Sequence, residues 1–114
     1  MVKGALYVPD RRDLVRLTFD PQAGHEQAGR RPALVVTPEA YNRKVGLAIV
    51  CPVTGQEKGY PFEVRIPLGL RCSGVILSDH VKNVDWRARN AEFVDKLPEP
   101  AFQNVVQKLR TLIC

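Results

Sequence analysis

A succession of short β-like runs separated by turn residues fills the first three quarters of this 114-residue sequence. Residues 13–19 alternate leucine and phenylalanine with polar side chains, the pattern of a strand with one buried face. Residues 31–36 and 47–53 contain the continuous apolar stretches ALVV and LAIVCPV, which are typical of strands buried on both faces. Residues 62–66 and 74–77 are shorter candidates, and the turn residues between the runs favour tight connections. The sequence therefore predicts a mainly β domain.

The last part of the sequence predicts a C-terminal amphipathic helix that starts near Pro98 and Pro100, where proline is tolerated. Its apolar side chains recur at helical spacing, and we expect all of them to pack in the core: Phe102, Val105, Val106, Leu109, Leu112 and Ile113. A short helical turn is expected between a cap at 37–39 and Gly46. Many short strands with one closing helix indicate an α+β fold, a compact and partly rolled antiparallel barrel in a single domain over 1–114.

Composition and charge narrow the function classes. The chain is 45% hydrophobic and 25% charged, the balance of a globular protein, and its net charge of +5 favours polyanionic partners such as nucleic acid or an acidic protein segment. We find no signal peptide and no membrane-length apolar run, so a cytoplasmic location is expected. The cysteines Cys51, Cys72 and Cys114 are odd in number and widely spaced, which argues against a disulfide framework or a zinc site. We expect free thiols, with Cys51 in the core.

The segment DPQAGHEQAGRRP at 20–32 is the most informative connection in the sequence. A polar loop of this length in so small a domain is usually functional. It gathers His25, Glu26, Arg30 and Arg31, all of which are suited to proton transfer or phosphate binding. The alternative is a solvated loop whose charges pair with one another. These residues alone leave both interpretations open.

Three motifs carry a resemblance to a known family. GHEQAGRRP is similar to the GSEQxGxRP signature of the MazF/PemK toxins, CPVTGQEKGYPFEV resembles the strand and loop that follow it there, and DHVKNVDWRAR resembles a later stretch. Their order and spacing agree from about Tyr7 to Arg89. The resemblance implies an SH3-like antiparallel barrel that forms a homodimer, with RNA crossing the surface near the dimer interface. It also implies an endoribonuclease that cuts single-stranded RNA without a metal ion or other cofactor.

The resemblance also implies catalytic roles for three residues. Cleavage by the ribose 2′-hydroxyl requires a base, an acid and a cation for the charge that grows on the phosphoryl oxygens. Arg31 matches the family's catalytic arginine, and its planar guanidinium suits a bidentate grip on phosphate. Thr54 matches a threonine that contacts the scissile phosphate. Glu26 is the candidate base, with a salt bridge that orients Arg31 as its alternative role.

RNA binding is expected to involve a second group of residues: Gln27, Gln56, Lys58, Asp79, His80 and Lys82. The lysines would contact phosphates, and Asp79 would orient neighbouring groups or contact a base. His25 and His80 replace the serine and glutamine that the family usually has, so the relatives' cleavage motif is not carried over. Either histidine could join acid–base chemistry, although a tolerated surface substitution is the simpler interpretation. We expect Trp86 to pack against the fold rather than to stack on a base.

Three other functions are considered against the endoribonuclease. A barrel of the same fold can act as a gyrase-poisoning toxin, as an RNA-binding module without cleavage, or as a degenerate toxin that only binds its antitoxin. The motif EQAGRRP and Thr54 argue against the gyrase poison, and the presence of Glu26, Arg31 and Thr54 argues against the degenerate toxin. The RNA-binding module would differ in showing RNA affinity without cleavage products. The expected partners are therefore single-stranded RNA, a second copy of the chain, and a cognate antitoxin. The antitoxin's acidic, extended tail would suit the basic charge of this chain.

Overall fold

The computed structural model describes residues 7–19 and 29–114. These residues form seven strands and two helices. In chain order the elements are β1 (Asp13–Thr18), β2 (Arg30–Val35), α1 (Glu39–Val45), β3 (Ala48–Thr54), β4 (Glu63–Arg65), β5 (Val75–Leu77), β6 (Lys82–Val84), β7 (Glu92–Lys96) and α2 (Glu99–Ile113). Neither helix is long and apolar enough to cross a membrane, a statement that covers only these described ranges.

The five predicted strands are confirmed as β1 to β5, with small shifts at their ends. The prediction that the functional loop extends to residue 32 is wrong, because β2 begins at Arg30 and pairs with Thr18 of β1. β6 and β7 were not predicted. Both are short and rich in charged or polar residues, so they lack the apolar alternation by which strands are found in a sequence.

β3 lies at the centre of the sheet topology. The strands follow the antiparallel order β4-β5-β3-β2-β1-β7, and β6 pairs with β3 outside this path. One edge of β3 pairs with β2, while its other edge is shared by β6 at residues 48–50 and β5 at residues 53–54. Among the described strands no pairing joins β4 to β7, so the barrel is partly open. The predicted α+β class is confirmed.

Alternate residues of the sheet line two separate hydrophobic cores. The first core packs under α2 and contains Leu14, Leu34, Cys51, Val53, Val64, Ile66, Cys72, Ile76, Leu97, Phe102 and Val105. The second core lies on the opposite face and contains Val15, Leu17, Ala33, Val35, Ala48, Val50, Val84 and Trp86. This arrangement explains the continuous apolar runs of β2 and β3, because both faces of these strands are buried. The predicted core position of Cys51 is confirmed.

Both predicted helices form, but each corrects one expectation. The last turn of α2 leaves the core, since Leu112 and Ile113 are 47% and 77% exposed. The expectation that the whole apolar stripe packs internally is therefore wrong at its end. No side chain caps α1; Thr37 Oγ1 instead donates to Asn42 Oδ1 at 2.7 Å and accepts the Ile49 amide. These bonds tie α1 to the start of β3.

The expected packing of Trp86 is confirmed. Its side chain is only 2% exposed, and its indole N–H donates to the backbone carbonyl of Asn42 at 3.0 Å. The ring is therefore a member of the second core, held against α1, rather than a surface available to an RNA base.

Candidate active site

Arg31 and Thr54 occupy facing ends of two central strands. β2 and β3 pair antiparallel with Ala33 opposite Pro52, and this register continued by two residues sets Arg31 opposite Thr54. Both residues share the strand face of Ala33 and Val50, which line the second core. Cross-strand neighbours on one face of a sheet lie about 5 Å apart at Cβ. The continued register therefore sets two predicted catalytic residues on one face of the sheet, although they are 23 positions apart in the sequence.

The hydroxyl of Thr54 is oriented by its own loop. The backbone N–H of Gln56 donates to Thr54 Oγ1 at 3.2 Å. Because that bond uses an oxygen lone pair, the hydroxyl proton remains available for a phosphoryl oxygen. The strand end itself rests on Gly74, where a β-carbon would lie 2.3 Å from the Thr54 carbonyl oxygen. The close approach of these two backbones therefore requires glycine at position 74.

Thr54 opens into a cleft of about 560 Å³, which we call the Thr54 cleft. It combines hydroxyl, amide, imidazole and ammonium groups with apolar walls. Its lining residues are Thr54, Gln56, Lys58, Gly59, Tyr60, Pro61, Glu63, Leu77 and His80. Four predicted site residues thus meet in one cleft, one of them catalytic and three RNA-binding.

The wall of the Thr54 cleft is a loop that is held at both of its ends. The Glu63 carboxylate accepts the backbone N–H groups of Lys58 at 3.1 Å, Gly59 at 3.1 Å and Tyr60 at 3.3 Å. The Tyr60 hydroxyl donates to Asp79 Oδ2 at 2.6 Å. This hydrogen bond to a carboxylate raises the pKa of Tyr60, so its phenol remains a donor at neutral pH. The loop is thereby fixed against β4 and against the segment that follows β5.

Asp79 and His80 are adjacent in the structure as well as in the sequence. His80 Nε2 lies 3.7 Å from Asp79 Oδ1, and that oxygen is buried without a hydrogen bond from any described residue. Asp79 thus faces Tyr60 with one oxygen and His80 with the other. Beneath them Cys51 is buried, and desolvation with the Asp79 charge raises the pKa of its thiol to about 12.

Lys82 lies apart from the Thr54 cleft. It stands on β6 opposite Val50, and its Nζ is 5.6 Å from the centroid of the Phe19 ring. Arg89 approaches the same ring at 5.9 Å. Lys82 therefore belongs to the edge of the second core. It shares a sheet face with Arg31 but does not line the cleft wall that holds Lys58.

The two adjacent arginines of the loop differ in their contacts. The guanidinium of Arg30 donates to Thr18 Oγ1 at 2.8 Å and to the Asn90 carbonyl at 2.6 Å, and it forms an ion pair with Glu92 at 3.3 Å. Arg30 therefore holds the end of β1 to the start of β7. Arg31 is half-buried on β2, at the position that the continued register of β2 and β3 sets opposite Thr54.

Three predicted residues of the loop, His25, Glu26 and Gln27, lie outside the described residues. Within ranges 7–19 and 29–114, no three His, Cys, Asp or Glu side chains form a cluster that could hold a metal ion.

The sequence and fold of this chain match those of known proteins. Residues 10–113 match the family described as PemK-like, MazF-like toxin of type II toxin–antitoxin system. The chain belongs to this toxin family. It is 46% identical over 107 residues to the endoribonuclease toxin MazF of Escherichia coli K12, with 94% of this chain and 96% of that protein covered.

Further similarities extend over the same length of chain. Endoribonuclease PemK of Escherichia coli is 35% identical over 108 residues, which cover 91% of this chain and 81% of PemK. The MazE–MazF crystal structure (Form-II) from Deinococcus radiodurans is 54% identical and superposes with a TM-score of 0.89, with 94% and 96% of the two chains covered. The predicted family and fold are confirmed by these matches.

In this PemK/MazF-like toxin, sequence reasoning missed three residues that shape the site: Tyr60, Glu63 and Gly74. Tyr60 and Gly74 each contact a residue distant in the sequence, Asp79 and Thr54, whereas Glu63 binds amides that lie 3 to 5 residues before it. The one local signal was the glycine that begins the strand predicted at 74–77. The capture of loop amides by Glu63 has no such signal, because a glutamate at the start of a strand is ordinarily a surface residue.

Proposed function

We propose that this endoribonuclease toxin cuts single-stranded RNA at short sequence motifs, by attack of the ribose 2′-hydroxyl and without a metal ion. The observation that carries the proposal is the antiparallel register of β2 and β3, which, continued by two residues, sets Arg31 opposite Thr54, a lining residue of the Thr54 cleft. A rigid cation and a hydroxyl donor on one sheet face can both reach the oxygens of one phosphate. The endoribonuclease names of relatives that are 35% and 46% identical support the class of reaction.

The bond changes follow from this arrangement. The 2′-oxygen bonds to phosphorus and gives up its proton, for which Glu26 is the proposed base; a carboxylate with an ordinary pKa of about 4.3 is ionised at neutral pH. The bond from phosphorus to the 5′-oxygen breaks, and a general acid gives that oxygen one proton, which balances the proton that the base removed. Arg31 and Thr54 stabilise the charge on the two other phosphoryl oxygens. The products are a 2′,3′-cyclic phosphate and a 5′-hydroxyl.

RNA binding is proposed to follow the wall of the Thr54 cleft and then the adjoining sheet face. Lys58 would contact a phosphate, and Gln56 and His80 present groups that can read the edges of unstacked bases. Gln27, Asp79 and Lys82 complete the proposed surface. Asp79 acts through its hydrogen bond to Tyr60, and Lys82 lies next to Phe19 on the face shared with Arg31.

Two protein partners are also proposed. The MazE–MazF structure from Deinococcus radiodurans supports a cognate antitoxin, and the net charge of +5 suits an acidic tail that competes with RNA. A homodimer is supported by the apolar end of α2, where Leu112 and Ile113 stay exposed in the single chain.

The test uses purified, antitoxin-free protein and a long single-stranded RNA in EDTA, beside an Arg31→Ala variant. We expect discrete cuts with 5′-hydroxyl and cyclic-phosphate ends, and at least a 100-fold loss in the variant, the scale of a lost charge-stabilising donor. End mapping of the fragments gives the cleavage motif. A folded wild-type protein that leaves the RNA intact would refute the proposal, and gyrase inhibition would then be assayed.

A further inference from the structure

A negative charge lies inside the surface that is proposed to bind RNA. Glu63 lines the Thr54 cleft together with Lys58 and Gln56. By Coulomb's law alone, a carboxylate at this position repels the RNA backbone and weakens binding. The contacts of Glu63 indicate instead that this residue strengthens RNA binding.

The carboxylate is the organising centre of the cleft wall. Both of its oxygens lie within hydrogen-bonding distance of the Lys58 amide, at 3.3 and 3.1 Å, and Oε1 also accepts the Gly59 and Tyr60 amides. Three successive N–H groups that converge on one anion fix the backbone over these residues. The left-handed φ of +78° at Gly59 lets the chain turn around the carboxylate.

The fixed backbone sets the positions of the groups that face RNA. Lys58 projects from the captured segment, and Gln56 lies two residues before it, with its amide bound to Thr54 Oγ1. Tyr60 closes the segment through its bond to Asp79. We propose that Glu63 is a positioning residue for RNA binding, which holds the cleft wall in its binding conformation at the cost of an unfavourable charge. This inference rests on the proposed function of the cleft.

Glu57 provides a matched control in the same loop. Its carboxylate is exposed and binds Arg65 through both oxygens, at 2.6 and 2.7 Å, rather than the loop amides. Glu57→Gln and Glu63→Gln each remove one negative charge near the cleft at nearly constant volume. Electrostatics alone therefore predicts equal or tighter RNA binding by both variants, whereas positioning predicts weaker binding by Glu63→Gln only. The two explanations therefore predict opposite changes in the RNA affinity of Glu63→Gln.

The experiment measures RNA affinity in an Arg31→Ala background, so that cleavage does not consume the long single-stranded RNA used as the probe. We expect Glu63→Gln to weaken binding about tenfold, as when the competent loop conformation falls to a tenth of the population. Glu57→Gln should bind with equal or greater affinity than its parent. In the cleaving protein, Glu63→Gln should raise KM with little change in kcat, because Arg31 and Thr54 remain in place.

Amide hydrogen exchange separates this inference from the proposed function. The amides of Lys58, Gly59 and Tyr60 should be protected in the wild type and in Glu57→Gln, and should exchange faster in Glu63→Gln. RNA binding by Glu63→Gln that equals or exceeds that of Glu57→Gln would overturn the positioning role. A wild type that fails to cut RNA would instead refute the proposed function, whatever the exchange rates of these amides.

Discussion

Two clefts of nearly equal volume, with no lining residue in common, lie on the described part of the molecule. The Thr54 cleft, of about 560 Å³, lies at the end of β3, and the second, of about 570 Å³, lies just after the end of β2. We call the second the Arg12 cleft. It contains more charged residues than the Thr54 cleft and is lined by Asp10, Arg11, Arg12, Val36, Pro38, Lys96, Glu99, Phe102, Gln103 and Val106.

The clefts differ in what their polar groups already bind. In the Arg12 cleft, Arg12 donates to the Leu97 carbonyl and pairs with Glu99 at 3.5 Å, while Lys96 pairs with the buried Asp13 at 2.7 Å. These contacts join β1, β7 and α2. In the Thr54 cleft, the Lys58 ammonium has no carboxylate of a described residue within ion-pair distance.

The difference shows that cleft size and charge do not identify a binding site by themselves. A cation already neutralised by its own fold gains little from an added phosphate, because the existing partner must be displaced first. The Thr54 cleft instead holds its backbone in place with Glu63 and leaves side-chain donors for RNA. We therefore expect substitutions at the Thr54 cleft to alter catalysis and binding, and substitutions at the Arg12 cleft to alter stability.

The largest effect on cleavage is expected at Gly74, where close backbone packing positions Thr54. Gly74→Ala would place a methyl group 2.3 Å from the Thr54 carbonyl oxygen, so the strand end must move. We expect the cleavage rate to fall about 100-fold, as is typical when a catalytic group shifts by about 1 Å. Gly69→Ala is the matched control, because Gly69 also has a positive φ, of +97°, but no atom within 4 Å of the added carbon. Equal rates for the two variants would contradict the assignment.

Beside the Arg12 cleft, Asp13 pairs with the lining residue Lys96, and Asp13→Asn should change stability alone. Asp13 is buried and accepts hydrogen bonds from the Tyr7 hydroxyl, the Asp10 amide and Lys96. Loss of these charge-assisted bonds should lower the free energy of unfolding by about 2 kcal/mol. Urea denaturation measures the change, and cleavage assays at 25 °C on the folded variant should match the wild type. A large drop in cleavage by a fully folded variant would give the Arg12 cleft a functional role.

The smallest expected effect is on RNA affinity, when one cation is removed from either cleft. Lys58→Ala should weaken RNA binding several-fold and reduce the slope of log affinity against log salt by about 0.7, the value for one phosphate contact on a single strand. Arg11→Ala removes the same charge from the Arg12 cleft and should leave both quantities unchanged. Titrations at three or more salt concentrations give the slopes. Equal slope changes would mean that overall charge, and not the Thr54 cleft, attracts RNA.

Local patterns in the sequence determined most of the strands and both helices of this protein. Three patterns predicted elements that the structure confirms: the alternation over 13–19, the apolar runs of β2 and β3, and the helical spacing from Phe102 to Leu109. They could be predicted because hydrophobic periodicity is a property of neighbouring residues. The motif EQAGRRP followed by KGYPFEV predicted the family. The same resemblance is the source of the catalytic roles proposed for Arg31 and Thr54.

The tertiary structure decided which of these residues meet and what each contacts. Arg30 and Arg31 are adjacent and chemically alike, yet Arg30 binds Asn90 and Glu92, which are 60 and 62 positions away, while Arg31 shares the strand face of Ala33. The exposed end of α2, the strands β6 and β7, and the need for glycine beneath Thr54 follow in the same way from distant parts of the chain. The physical reason is that burial, close backbone approach and ion pairing depend on neighbours in space, which local periodicity does not encode.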